Sequence, residues 1–191
     1  MNLQNNDVSI NVTDIKSYPK NVPFHPPEQY PEYQDTELDN TNQIYAEVRN
    51  TLYQLGLDRD NFGSKTWNPY KDIIKPGTTV FVKPNTVMHR HLEKKDIFSV
   101  IIHASILRPI LDYICIALKN EGRIIIGDAP ILIGNFYKAI KVAQIDSLVE
   151  WYRTQTSIPI ECFDLRTVRS ARTWLYGNWG RKNIFQDARG Y

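Results

Sequence analysis

The 191-residue sequence predicts an α/β fold: an open, mostly parallel sheet with helices on both faces, forming a three-layer sandwich behind an N-terminal proline-rich extended loop. Three observations carry this prediction. The three main apolar runs are continuous rather than alternating, as in strands buried on both faces. Segments of helical periodicity separate them. Each run ends in a short polar turn: Val82-Lys-Pro-Asn85, Gly127-Asp-Ala-Pro130 and Asp164-Leu-Arg166. The resulting order, strand-helix-strand-helix-strand, is the one that right-handed crossovers join into a parallel sheet.

The elements follow in order. Asp7 to Ile15 alternates Val8, Ile10 and Val12, the pattern of a short strand with one buried face. Tyr18 to Tyr33 holds Pro19, Pro23, Pro26, Pro27 and Pro31 and reads as an extended loop lying over the body, because proline denies regular backbone pairing. Residues 1–40 therefore form a strand and loop in front of an α/β domain over 41–191. Asn40 or Thr41 caps a helix with Ile44, Val48, Leu52 and Leu55 on one side, and Gly56 ends it. A turn-rich segment with Asn61-Phe-Gly63 and Trp67-Asn-Pro69 follows, then a short helical piece from Tyr70 to Ile74 and a turn at Pro76-Gly77.

Thr78 to Val82 is the first buried strand. A helix from Ser105 to Lys119 offers Leu107, Ile110, Leu111, Ile114 and Leu118 as its stripe, with Arg108 and Asp112 as an i,i+4 pair and Pro109 in or near its first turn. Arg123 to Gly127 is the second strand, Phe136 to Arg153 the next helix, and Ile158 to Leu165 the third strand. Phe185 to Tyr191 resembles the approach to a further strand, so the chain is expected to be a fragment cut at its C-terminal end.

Composition narrows the function classes. Lys+Arg 23 against Asp+Glu 21 gives a net charge of +2, too balanced to argue for nucleic-acid binding, and none is expected. That total hides an asymmetry. Residues 1–45 hold seven acidic residues and two lysines, whereas 166–191 hold six basic residues and one acid. The two cysteines, Cys115 and Cys162, cannot hold a four-cysteine iron–sulfur cluster and read as reduced core thiols of a cytoplasmic protein. The polar start, Met1 to Asn6, is unlike a secretory signal. The longest apolar region, Ile97 to Leu118, carries His103, Arg108 and Asp112, so no membrane span is expected.

Ligands of open parallel sheets bind beyond the carboxyl ends of the strands. That rule places Lys83, Asn85, Asp128, Asp164 and Arg166 on one rim. Two carboxylates, a lysine, an amide and an arginine have the chemistry to hold a divalent metal, here through Asp128 and Asp164, together with a small anionic or sugar-phosphate ligand. The same residue types at strand ends also start turns or cap helices. His103, just before a helix start, and His89, in a polar loop with His91, are further candidates. His103 and Lys83 would be catalytic, with Asn85, Arg108, Arg166 and His89 binding ligand. Dinucleotide, P-loop and hydrolase-elbow motifs are absent. The aromatic and basic run Trp174 to Lys182 has the composition to stack a sugar or base with phosphate, and equally to form a covering layer, which is the favoured reading.

Val82-Lys-Pro-Asn85, Ile102-His-Ala-Ser105, Arg108 with Asp112, Gly127-Asp-Ala-Pro130 and Ile160-Glu-Cys-Phe-Asp-Leu-Arg166 together resemble the bacterial and archaeal domain of unknown function 362, over residues 78–191. Ile102 and Ala104 stand where that family has threonine and proline around the histidine. The resemblance implies a longer chain, a ferredoxin-fused relative in some members, and a link to bacterial surface-polysaccharide genes. Two functional readings follow. One is an enzyme domain acting on a phosphorylated or nucleotide-activated sugar with metal assistance. The other is a non-catalytic ligand-binding or scaffolding subunit of a glycan assembly system.

Overall fold

The computed structural model describes residues 7–175 and 178–185. Helix α1 spans Gln43–Gln54, strand β1 Thr79–Val82, α2 Ala104–Leu118, β2 Arg123–Asp128, α3 Phe136–Val142, α4 Ile145–Gln155 and β3 Ile160–Asp164. A hairpin follows, β4 over Val168–Leu175 and β5 over Asn178–Phe185. The first three strands form an open parallel sheet in the order β1-β2-β3, with Val82 beside Ile126 and Asp128 beside Asp164. The open parallel α/β architecture is therefore the one the continuous apolar strands predict.

The order β1-β2-β3 moves the chain one way across the sheet, so two right-handed crossovers put their helices on the same side. Packing agrees. Val80, Val82, Ile124, Ile126, Ile160 and Cys162 share one core with Leu107, Leu111, Ile114 and Leu118 of α2 and with Leu148, Val149 and Tyr152 of α4. Alternation sends Phe81, Ile125 and Phe163 to the opposite face. Phe81 is 49% exposed there, and Arg123 pairs with Glu161 at 2.6 Å. Among the described residues, the expected helical cover is thus met on one face, and α1 packs outward on α2.

Two local expectations change, the strand over Asp7 to Ile15 and the unbroken helix from Phe136. Asp7 to Ile15 forms no strand: Ser9 Oγ donates to Gln54 Oε1 at 2.6 Å and Asn11 Nδ2 to the Glu47 carbonyl at 2.8 Å. The polar half of the alternation lies on α1, leaving Val8, Ile10 and Val12 at least 77% exposed. The long helix from Phe136 breaks at Gln144, which adopts φ 60°. The Ala143 carbonyl at that break accepts the Ala104 N–H at 2.9 Å, tying the end of α3 to the start of α2. Pro109 is the sixth residue of α2, just past its first turn. The run after Arg166 is an antiparallel hairpin, and residues 186–191, where a further strand is expected to begin, lie outside the described residues.

The proline-rich segment is irregular as expected, and the body holds it by side chains. Phe24 is fully buried, and Asn42 Nδ2 donates to the Phe24 and His25 carbonyls at 3.0 and 2.9 Å. Arg49 clasps Glu32 through Nε at 2.7 Å and Nη2 at 3.2 Å, with Tyr113 Oη donating to the same carboxylate. The guanidinium of Arg49 lies over the rings of Tyr30, Phe62 and Trp67 at 4.2–4.9 Å, where cation–π attraction adds to the ion pair. No described helix is long and apolar enough to cross a membrane.

The turn between α2 and β2 sets the register of β2 against β1. Gly122 sits there at φ 113°, and a Cβ on it would come within 2.4 Å of the Thr78 carbonyl oxygen. Gly122→Ala is expected to lower stability by about 1–3 kcal/mol, read as a fall in the urea midpoint at unchanged slope.

Candidate functional site

The strand ends bring the predicted rim residues into place, and most of them bind one another. Pro84 turns the chain out of β1, leaving Lys83 and Asn85 exposed at the carboxyl edge. Lys83 Nζ reaches Asp128 Oδ1 at 2.9 Å, with the lysine side chain 60% exposed and the carboxylate buried. Asp128 accepts from four donors: Lys83 and the Ala129 N–H on Oδ1, and the Thr86 N–H and hydroxyl on Oδ2 at 2.7 and 2.8 Å. Four donors fill the acceptor sites of a carboxylate. Burial pushes the Asp128 pKa up, and the Lys83, Thr86 and Ala129 donors outweigh it and hold the group below the usual carboxylate range.

Asp164 stands beside Asp128 in register but faces its own cation. Arg166 donates to it through Nε at 2.9 Å and Nη2 at 2.6 Å, while Arg166 Nη1 donates to the Ile131 and Gly134 carbonyls, both at 2.9 Å. The pair thereby pins the loop between β2 and α3. His89 acts on the same loop, accepting the Asn135 N–H on Nδ1 at 3.1 Å; burial, then Arg90 and Lys138, lower its pKa. Among the described residues no group of three or more histidine, cysteine or acidic side chains converges as a metal site would require. In the fold, Asp128 and Asp164 brace the rim.

Arg108 lies away from the rim, fully buried at the contact between α2 and the proline-rich segment. Its guanidinium donates to Asp112 Oδ2 (2.9 Å), the Pro23 carbonyl (2.8 Å), Tyr33 Oη (2.8 Å) and Asp35 Oδ2 (2.5 Å), and it stacks on Trp151 at 4.1 Å. Asp112 also accepts from Tyr45 at 2.8 Å and Tyr152 at 2.5 Å. Its expected ligand contacts are in fact contacts with the protein's own front segment.

His103 forms the floor of an open cleft of about 690 Å³ at the N-terminal end of α2, on the carboxyl side of the sheet. The Asn85 carbonyl accepts the Ile102 N–H at 2.9 Å, so rim and cleft adjoin. Residues 11–20 form one wall, with Lys16 and Lys20; α1 supplies Ile44, Glu47, Val48 and Thr51; Asp96, Phe98, Ile106 and Gln144 complete it. Tyr18 stacks on the imidazole at 4.6 Å, and Phe98 and Phe24 meet it edge-on at 4.9 and 5.2 Å. The Ser105 N–H donates to Nδ1 at 3.2 Å, and Nε2 lies 3.5 Å from the Gln144 amide nitrogen. Burial depresses the His103 pKa to about 4, so the ring is neutral at pH 7.

The cleft thus presents two lysines, hydrogen-bonding groups and apolar walls around a neutral imidazole. Apart from His103, none of its residues was a site candidate in the sequence: they come from four separated segments, and no spacing links Lys16 or Lys20 to Gln144. No protein-family model, no curated protein and no solved structure matches the chain.

Two measurements check these assignments. Arg108→Ala leaves Asp35 and Asp112 without their buried cation, and its unfolding free energy is expected to fall by about 3–5 kcal/mol. The depressed His103 pKa means that the unfolded chain binds the proton more readily. Its stabilisation is complete above pH 6.5 and is lost as pH falls toward 4. Denaturation midpoints should drop over that window, and His103→Asn, which keeps a capping acceptor for Ser105, should flatten the drop.

Proposed function

We propose that this chain is a cytoplasmic ligand-binding α/β domain whose cleft over His103 takes a phosphorylated or nucleotide-activated sugar. We also propose that it serves surface-polysaccharide biosynthesis, as its resemblance to domain of unknown function 362 implies. The observation that carries the reading is the cleft itself. Lys16 and Lys20 supply positive charge for a phosphate, and Glu47, Asp96 and Gln144 supply hydrogen-bonding groups for hydroxyls. Phe98, Ile44 and Val48 offer apolar surface to the faces of a sugar ring. Two free cysteines, whose thiols burial pushes up to about 12, fit a reducing compartment.

The geometry favours binding over catalysis. Asp128, Asp164 and Arg166 are engaged with protein partners, and His103 enters as a neutral imidazole. Isothermal calorimetry with glucose 1-phosphate and UDP-glucose tests the reading. At least one should bind, and Lys16→Ala with Lys20→Ala should weaken it by roughly tenfold or more, consistent with the loss of charge-assisted hydrogen bonds. Lys83→Ala, on the rim outside the cleft, should leave affinity unchanged. Absence of heat with both ligands, or equal affinity in the double lysine variant, refutes the assignment.

A further inference from the structure

The loops at the carboxyl edge of the sheet carry an apolar and basic surface that the cleft does not use. Leu92, Ile131, Leu132 and Tyr137 are between 42% and 67% exposed. Residues 83–95 and 131–142 hold six basic residues, Lys83, Arg90, Lys94, Lys95, Lys138 and Lys141, and one acid, Glu93. Lys83 pairs with Asp128 and Lys95 with Glu93; among the described residues Arg90, Lys94, Lys138 and Lys141 have no acidic partner within ion-pair distance. The two loops are joined. The Val87 carbonyl accepts the Ile131 N–H at 3.2 Å and His89 accepts the Asn135 N–H at 3.1 Å. After burial, Arg90 and Lys138 are the charges that lower the His89 pKa, so both lie near its ring. Leu92 follows in the turn that the Lys94 N–H closes on the His91 carbonyl at 3.1 Å. On α3, Phe136, Ala139 and Ile140 are buried, which turns Tyr137, Lys138 and Lys141 outward together.

Exposed aliphatic side chains scattered singly need no partner, but a group of them rimmed by charge marks an interaction surface. The backbone beneath this group is already fixed. Arg166 Nη1 donates to the Ile131 and Gly134 carbonyls, and the Gly134 N–H donates to the Ile131 carbonyl at 2.8 Å. Ile131 and Leu132 are thus displayed on a pinned loop, and docking them orders little further chain. The surplus of cations calls for an anionic partner. Five of the six are lysines, point charges on long stems that adapt to a fluid headgroup layer, whereas a shaped partner recognised through paired hydrogen bonds favours arginine. Aliphatic tips find no counterpart on a nucleic-acid backbone but gain from the boundary between headgroups and acyl chains, where tyrosine also settles. We infer that this edge docks on an anionic lipid bilayer, with Leu92, Ile131 and Leu132 entering that boundary and Arg90, Lys94, Lys138 and Lys141 at the level of the lipid phosphates. The docking is peripheral; it goes beyond the cleft reading and does not depend on it.

The test is co-flotation of the full chain with vesicles of phosphatidylcholine alone and of phosphatidylcholine carrying about one-third phosphatidylglycerol. The chain should float with the anionic vesicles and stay behind with the neutral ones, and added salt should weaken the binding. Lys138→Gln with Lys141→Gln should weaken it about tenfold or more, and Ile131→Ser with Leu132→Ser about fivefold or more. Leu132→Ser alone, at the more exposed of the two aliphatic positions, should move the same way. All these side chains are exposed, so melting curves of the variants should lie close to the parent's. Lys16→Ala with Lys20→Ala should float like the parent, which separates failure of the cleft reading from failure of this one. The inference is overturned if the chain ignores both kinds of vesicle, if it binds the neutral ones equally, or if the lysine or serine variants float like the parent. It is also overturned if, in place of flotation, the chain binds a short oligothymidylate that the lysine variant releases and the serine variant keeps. A concentration-dependent dimer in place of flotation, abolished by the lysine variant, overturns it too, by assigning the surface to the acidic front of a second copy.

Discussion

The buried Arg108–Asp112 pair is the constraint around which the rest of the chain is arranged. Both side chains are almost completely withdrawn from water. Isolated charges at such depth cost several kcal/mol each, so they are tolerated only with near-complete hydrogen bonding. Arg108 obtains that from Pro23, Tyr33 and Asp35, and Asp112 from Tyr45 and Tyr152. One helical turn of α2 thereby fixes α1, α4 and the proline-rich segment. The Arg49–Glu32 clasp, with Tyr113 from α2 donating to Glu32, repeats the logic one layer outward. A segment with almost no regular backbone pairing becomes part of the body because its carbonyls and acids, together with Asp112, accept from two buried cations.

The same economy of charge governs the carboxyl edge of the sheet. Lys83 and Arg166 neutralise Asp128 and Asp164 within their own neighbourhood, and the Thr86 and Ala129 donors complete Asp128. The edge is therefore stiff, and the open volume lies to one side of it, over the start of α2, where backbone tied to α1 by side chains forms the wall. Rigid strand ends beside a cleft walled by irregular chain is a common division of labour between scaffold and site.

Much of the sheet was legible because its signal is local: Ile124-Ile-Ile126 and Val80-Phe-Val82 read as strands wherever they lie. The Arg108–Asp112 spacing was legible for the same reason, although its partners, up to 85 residues away, were not. The outward face of Val8, Ile10 and Val12 was misread because alternation reveals a period and says nothing about which half meets the body. The break at Gln144 depends on the Ala104 N–H, a contact between elements that periodicity within one helix does not contain. As for the site, strand-end motifs located the edge correctly, but an acid or arginine there reads the same whether it awaits a ligand or already holds a neighbour.

The partners of Arg108 also carry a consequence for biosynthesis. Pro23, Tyr33 and Asp35 leave the ribosome long before the arginine they bind, and Tyr152, which completes Asp112, emerges some forty residues later still. Chains are made at roughly 5–20 residues per second, so the front segment waits for several seconds as an unpaired, acidic, proline-rich leader. Its composition suits that wait: proline and negative charge resist strand pairing and aggregation while the residues that will claim it are still being made.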